Sequence, residues 1–115
     1  MLDVAREPLL RNFVHVDDLV AAILAALDCP AAFGELFNIA MNEPVSYGAV
    51  GDYLRRTRDL RPIRIPTPFH GNWLSNAKAR LVLDWSPEVN LEALIERAWN
   101  YKRAENDPRK IWYPG

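Results

Sequence analysis

Cysteine is nearly absent from this chain: Cys29 stands alone among 115 residues. A single thiol forms no internal disulfide, so a stapled secreted scaffold is excluded and a reducing compartment is expected. Histidine is almost as scarce. His15 and His70 lie far apart and, with one cysteine, give no metal-ligand spacing. Neither sign of charge dominates, with 14 basic against 15 acidic residues and a net charge of −1. That balance lacks the footprint expected for nucleic acid or an anionic membrane. No apolar run approaches the ~18 residues of a membrane span. The first ten residues carry Asp3, Arg6 and Glu7, so no signal-peptide stretch is read there. A cytoplasmic location is the expectation. Ser46 is not set in a G-x-S-x-G elbow, and no internal repeat occurs.

What is present is ordinary globular material, 50% hydrophobic and 25% charged. The length suits one domain with one modest core. Phe13 to Val16 reads as a short strand. Asp17 is a good N-cap for a following helix, in which Leu19, Val20, Ile23, Leu24 and Leu27 recur at helical spacing and Pro30 stops continuation. Leu36 to Ala40 is apolar on both faces apart from Asn38, which suits a buried parallel strand. Ser46 caps a second helix to about Arg58, with Ala49, Val50, Tyr53 and Leu54 on one face. Gly48 and Gly51 weaken it by ~1 kcal/mol each relative to alanine. Ile63 to Ile65 is a third short strand, and Pro66 and Pro68 open a loop through Asn72.

Ser75 or Asn76 starts a short helix with Ala77, Leu81 and Val82 inside, ending near Trp85. Asn90 caps the clearest helix, striped with Leu91, Leu94, Ile95, Ala98 and Trp99. Ile111, Trp112 and Tyr113 in the tail are expected to dock on something, since leaving them wet forfeits ~1.5–3 kcal/mol each. The order of elements predicts an α/β unit of short parallel strands with flanking helices.

Four segments carry a family resemblance. They are Arg11-Asn12-Phe13-Val14-His15-Val16-Asp17-Asp18-Leu19, Gly34 to Ala40, Asn76 to Arg80 with Leu83-Asp84-Trp85 and Pro87, and the Leu91 to Trp99 helix with Tyr101 after it. In this order and spacing they resemble the NAD-dependent epimerase/dehydratase family, the extended short-chain dehydrogenase/reductases. The resemblance is to the C-terminal, substrate-side part of an extended Rossmann-type protein. It implies that residues 1–115 are a single substrate-binding portion, with the dinucleotide-binding half absent. In that family the Leu36 to Ala40 strand completes the cofactor domain's parallel sheet.

The family's chemistry needs a Gly-rich phosphate turn, where backbone N–H groups approach a pyrophosphate, and a tyrosine with a lysine four residues on. Neither motif occurs. Gly48-Ala49-Val50-Gly51 is a fragment of the turn spacing, and Tyr47, Tyr53 and Tyr101 are followed at that distance by Gly51, Thr57 and Glu105. No catalytic, cofactor-binding or metal residue is therefore expected in this chain. NAD or NADP is implied only for a complete family enzyme. The implied partners are a sugar or nucleotide sugar and either a cofactor-domain partner or a second copy of the chain.

By the same resemblance Arg11 contacts a substrate diphosphate, a role suited to a planar, always-charged guanidinium. The alternative is a surface pairing with Asp17, Asp18 or Glu7. The loop Pro66 to Trp73 departs from the nucleotide-sugar pattern, with no arginine and with Asn72 in place of an acid. Asn12 also replaces the acid usual after the arginine. His70, Asn72 and Trp73 are the remaining substrate-binding candidates, Trp73 by stacking on a sugar ring, with loop packing as its alternative. His15 reads as a structural histidine bonded to neighbouring backbone. Asp18 reads as solvated, Asn38 as a tie between loops and Lys78 as a helix-surface residue. The arginines at 55, 56, 58, 61 and 64 read as a solvated helix end near a C-terminal dipole. Three readings remain open: the substrate-binding portion of a sugar-modifying epimerase or oxidoreductase, inactive alone; a stand-alone ligand- or partner-binding domain; and a truncated product with no independent role.

Overall fold

The structure is a computed structural model and describes residues 1–102, 105 and 106. The tail residues Ile111, Trp112 and Tyr113 lie outside the described residues. The chain forms β1 (Leu10–Arg11), α1 (Val16–Leu27), a 3₁₀ turn (Pro30–Ala32), β2 (Val45–Ser46), α2 (Tyr47–Arg58), α3 (Ala77–Leu83) and α4 (Leu91–Trp99). The α/β class stands, but the one ladder among the described residues, β1 with β2, is antiparallel. A parallel bridge joins Leu2 to Pro66.

The three segments read as strands form no ladder among the described residues. Phe13 to Val16 makes one cross-link, its Phe13 carbonyl accepting from Met41 N at 2.8 Å. Ile63 to Ile65 reaches only as far as the Leu2 N to Ile65 O bond of 2.9 Å. Leu36 to Ala40 has strand composition but no neighbouring strand to pair with. A strand exists only through its partner, so composition alone does not make one.

Capping explains most helix starts. Ser46 Oγ accepts from Ala49 N, and Asn90 Oδ1 accepts from Ala93 N, as their positions predict. For α1 the cap is His15 rather than Asp17: its Nδ1 accepts from Asp17 N at 3.2 Å. Asp17 instead faces out and takes Arg97 Nη1 at 2.8 Å. Asp59 and Asp84 end α2 and α3 in the left-handed region, at φ 52° and 48°.

The core sits between α1 and α3, built on Ala22, Ala79, Leu83 and Trp85, with Ala25, Ala26 and Cys29 packed around. Here the helical stripe misleads. Leu19, Val20, Ile23, Leu24 and Leu27 point away from this core, and Leu27 is 69% exposed. The alanine face goes inward because small side chains let α1 approach α3 closely, and Ala79 is wholly buried at that contact. Leu81 of α3 likewise faces out.

Asp18 is buried, not solvated. Its two carboxylate oxygens accept from Glu88 N at 3.0 Å and Val89 N at 3.1 Å, while its carbonyl takes Trp85 Nε1. One residue of α1 thereby fixes the α3–α4 turn. A second, more polar contact joins α2 to α4, and it holds two of the five arginines of the cluster. Arg56 pairs with Glu92 and Arg58 with Glu96, while Arg55 pairs with Asp52 within α2. The guanidinium of Arg58 also lies 4.5 Å from the Trp99 ring centre.

Candidate functional site

The site begins at β1, which places Arg11 and Asn12 beside the 69–74 loop. That loop passes within contact of β1: a Cβ on Gly71 would stand 3.4 Å from Leu10 N. Asn72 N donates to Leu10 O at 3.3 Å. Arg11 is half-buried. Its guanidinium lies 5.4 Å from the Phe69 ring centre, and Nη1 donates to the His70 carbonyl at 3.4 Å. Among the described residues it makes no ion pair with Asp17, Asp18 or Glu7. Among the described residues the cation therefore stands beside the loop without a carboxylate to neutralise it.

Three of the four residues read from the sequence are thus brought together, Arg11 with His70 and Asn72. Trp73 follows in the same loop, 60% exposed, its ring offered to solvent. Two neighbours were missed. Phe69 gives the guanidinium an aromatic face. Asn12 spans the gap to the loop, with Nδ2 donating to Asn72 Oδ1 at 2.9 Å and Oδ1 accepting from Leu74 N at 2.8 Å. The only sequence signal for Asn12 is its place next to Arg11, since its partners lie some sixty positions on. Chemically, the arrangement offers a fixed cation, amides and an aromatic ring on a loop. That set suits an anion joined to a ring.

Other residues have structural duties. His15 is a cap with Arg97 at 3.3 Å, Asn38 Nδ2 donates to Ser75 O, and Lys78 pairs with Glu35 while covering the Phe37 ring. The Lys78 ammonium beside Glu35 holds that carboxyl below its usual range. Glu96 is also held low, by Arg58 first and then by the Tyr53 hydroxyl, which donates to Oε1 at 2.7 Å. Tyr53 is raised in turn by that bond. This is a tie between helices, and it stands away from the loop. A cleft of about 490 Å³ opens between α2 and residues 1–8 and 62–64, and none of the four site candidates lines it.

Gly48 and Gly51 cannot serve as a dinucleotide cradle. Both lie inside α2, where a Cβ would meet Pro8 at 3.0 Å and Pro62 at 3.2 Å, so their open sides are filled by proline rings. These two glycines therefore form no open turn for a dinucleotide's phosphates. No group of His, Cys, Asp and Glu able to hold a metal ion occurs among the described residues, and no helix there is long and apolar enough to cross a membrane.

No family model matches the chain. It is 26% identical over 99 residues to a UDP-glucuronate 4-epimerase of Thermodesulfobacterium geofontis, covering 81% of this chain and 30% of that protein. It is 29% identical over 108 residues to a UDP-glucose 4-epimerase of Rhizobium meliloti, covering 84% of this chain and 31% of that protein. A solved short-chain dehydrogenase/reductase superfamily protein from Agrobacterium tumefaciens, with bound NAD, superposes with a TM-score of 0.74 at 26% identity. The chain is similar to this short-chain dehydrogenase/reductase superfamily protein in fold and, at 26% identity, in sequence. The superposition covers 84% of this chain and 30% of the solved one. The chain thus spans about a third of the length of the relatives it matches.

Proposed function

We propose that residues 1–115 form the C-terminal, substrate-side portion of an NAD- or NADP-dependent sugar or nucleotide-sugar epimerase/dehydratase. In this reading the chain binds the substrate, and a cofactor-holding portion does the redox chemistry. The observation that carries it is the meeting of Arg11 with the 69–74 loop. A guanidinium without a carboxylate partner is a fork of donors matched to phosphate oxygens. Asn72 offers an amide to sugar hydroxyls, Trp73 a ring face, and His70 lies beside the guanidinium. The names of the two curated relatives, both acting on UDP-sugars, support the same substrate class.

The cofactor-holding portion would cover the apolar face of α1 and pair with the 36–40 segment. Both are otherwise left in water, with Ile23 at 52%, Leu24 at 58% and Leu36 at 84% exposure.

Calorimetric titration of the chain with UDP-glucose, with UDP and with NAD tests the reading. The expected result is binding of the UDP ligands, weakened by ~1.5–3 kcal/mol in Arg11→Ala, and none of NAD. UDP ligands bound equally by wild type and Arg11→Ala, or NAD bound by the chain alone, would overturn it.

A further inference from the structure

The loop that faces Arg11 is held from two sides, and the second hold has no charge in it. Arg11 engages Phe69 and the His70 carbonyl at the start of the loop. Asn12 engages its end, through Asn72 Oδ1 at 2.9 Å and Leu74 N at 2.8 Å. We propose that Asn12 is the positioning residue of this site, forming with Asn72 a charge-neutral clasp that sets where the 69–74 loop stands relative to Arg11. The ligand-binding consequence rests on reading Arg11 as an anion contact; the loop-holding part does not.

An amide suits this position because it supplies a donor and an acceptor from one planar group. Aspartate offers acceptors only, and alanine offers neither. Two carboxylates at the same separation would have to share a proton or separate. The charged and titratable groups facing the clasp are few. Arg11 lies beside it on β1, His70 contributes its carbonyl rather than its ring, and Asp3 Oδ2 comes within 3.7 Å of where a Gly71 Cβ would stand. The other oxygen of Asp3 is occupied by Ala5 N and Glu7 N. The clasp therefore holds the loop by a contact that does not ionise, and it adds no negative charge beside Arg11.

Hydrogen exchange at the Leu74 amide reads the clasp without any ligand, and inorganic pyrophosphate serves as the anion probe. In the full chain, Asn12→Ala should speed Leu74 exchange about tenfold or more and weaken pyrophosphate by a similar factor. Asn12→Asp should restore Leu74 protection, because the carboxylate accepts from Leu74 N and a rotated Asn72 amide can donate to it. Its pyrophosphate affinity should now rise as pH falls through the new carboxyl, beyond any change in wild type. Asn12→Asp with Asn72→Asp should protect Leu74 only at low pH, where the pair shares a proton, and lose that protection as pH rises. Leu74 exchange unchanged by Asn12→Ala would overturn the proposal. So would failure of Asn12→Asp to restore protection in a chain whose helix content is intact. Expected exchange changes without pyrophosphate binding by wild type support the clasp, and overturn instead the reading of Arg11 as an anion contact.

Discussion

Helices α1 and α2 are each twelve residues long, yet they meet their surroundings in opposite ways. α2 is polar outward and ion-paired, its arginines tied to Glu92 and Glu96 of α4 and to Asp52 on its own surface. Beyond the Asp17 and Asp18 of its first turn, α1 is apolar on every side: it turns alanines toward α3 and leaves Val16, Val20, Ile23, Leu24 and Leu27 in water. A helix apolar all round belongs inside a larger body. One half of the molecule is thus finished against solvent and the other is not. The candidate site lies at β1, which leads directly into the unfinished helix.

The sharpest way to break this comparison is at Asp18. Asp18→Ala should cost about 3 kcal/mol in urea unfolding, since the buried Val89 N–H and the half-buried Glu88 N–H lose their acceptor. A loss under ~1 kcal/mol would mean that α1 is not fixed to the α3–α4 turn as described. Ala79→Leu should cost ~1–3 kcal/mol by overpacking the α1–α3 contact, which has no free volume at a residue of 0% exposure. Near-neutrality there would show that the two helices separate easily.

A smaller effect is expected from the α2–α4 tie, read as thermal midpoint against pH for wild type minus Glu96→Gln. The Glu96 carboxyl is depressed by Arg58 and then Tyr53, so its contribution is full above the ordinary carboxylate value and fades as pH falls through its lowered one. The Tyr53 hydroxyl is raised, chiefly by Glu96, so its share persists at neutral pH and is lost only in strong alkali. A flat difference across the acid range would remove the tie from the account. Least of all should follow from Leu24→Glu, at a position 58% exposed. Stability should stay within about 0.5 kcal/mol, while association at high concentration, measured by sedimentation, should fall. A large destabilisation would place Leu24 in a core.

Local signals were legible in the sequence. Ser46 and Asn90 announce their helices because a cap acts within three residues, and α2 runs as far as Arg58 as its pattern predicts. Arg11 and the 66–73 loop were legible as chemistry, since residue type alone suggests what they bind. What the sequence hid is non-local. Nothing near Asp18 reveals that its partners are Glu88 and Val89, and solvation was the natural expectation for a carboxylate in a first helical turn. The face of α1 was misread for a related reason. Leucines at helical spacing outrank alanines in hydropathy, but the tight contact with α3 selects small side chains. The 36–40 segment carries strand composition, but pairing needs a neighbouring strand that no local pattern can supply. Asn12 and Asn72 each differ from the family pattern, and only the fold shows that they touch.

The exposed side of α1 also sets how this chain should melt. Heat capacity on unfolding rises with the apolar surface newly wetted, and the denaturant slope follows total surface. Leucines and isoleucines already hydrated in the folded chain add little to either. The unfolding transition should therefore be broad and its stability curve shallow for 115 residues, with cold and heat each removing little. Anything that covered that one helix would steepen both.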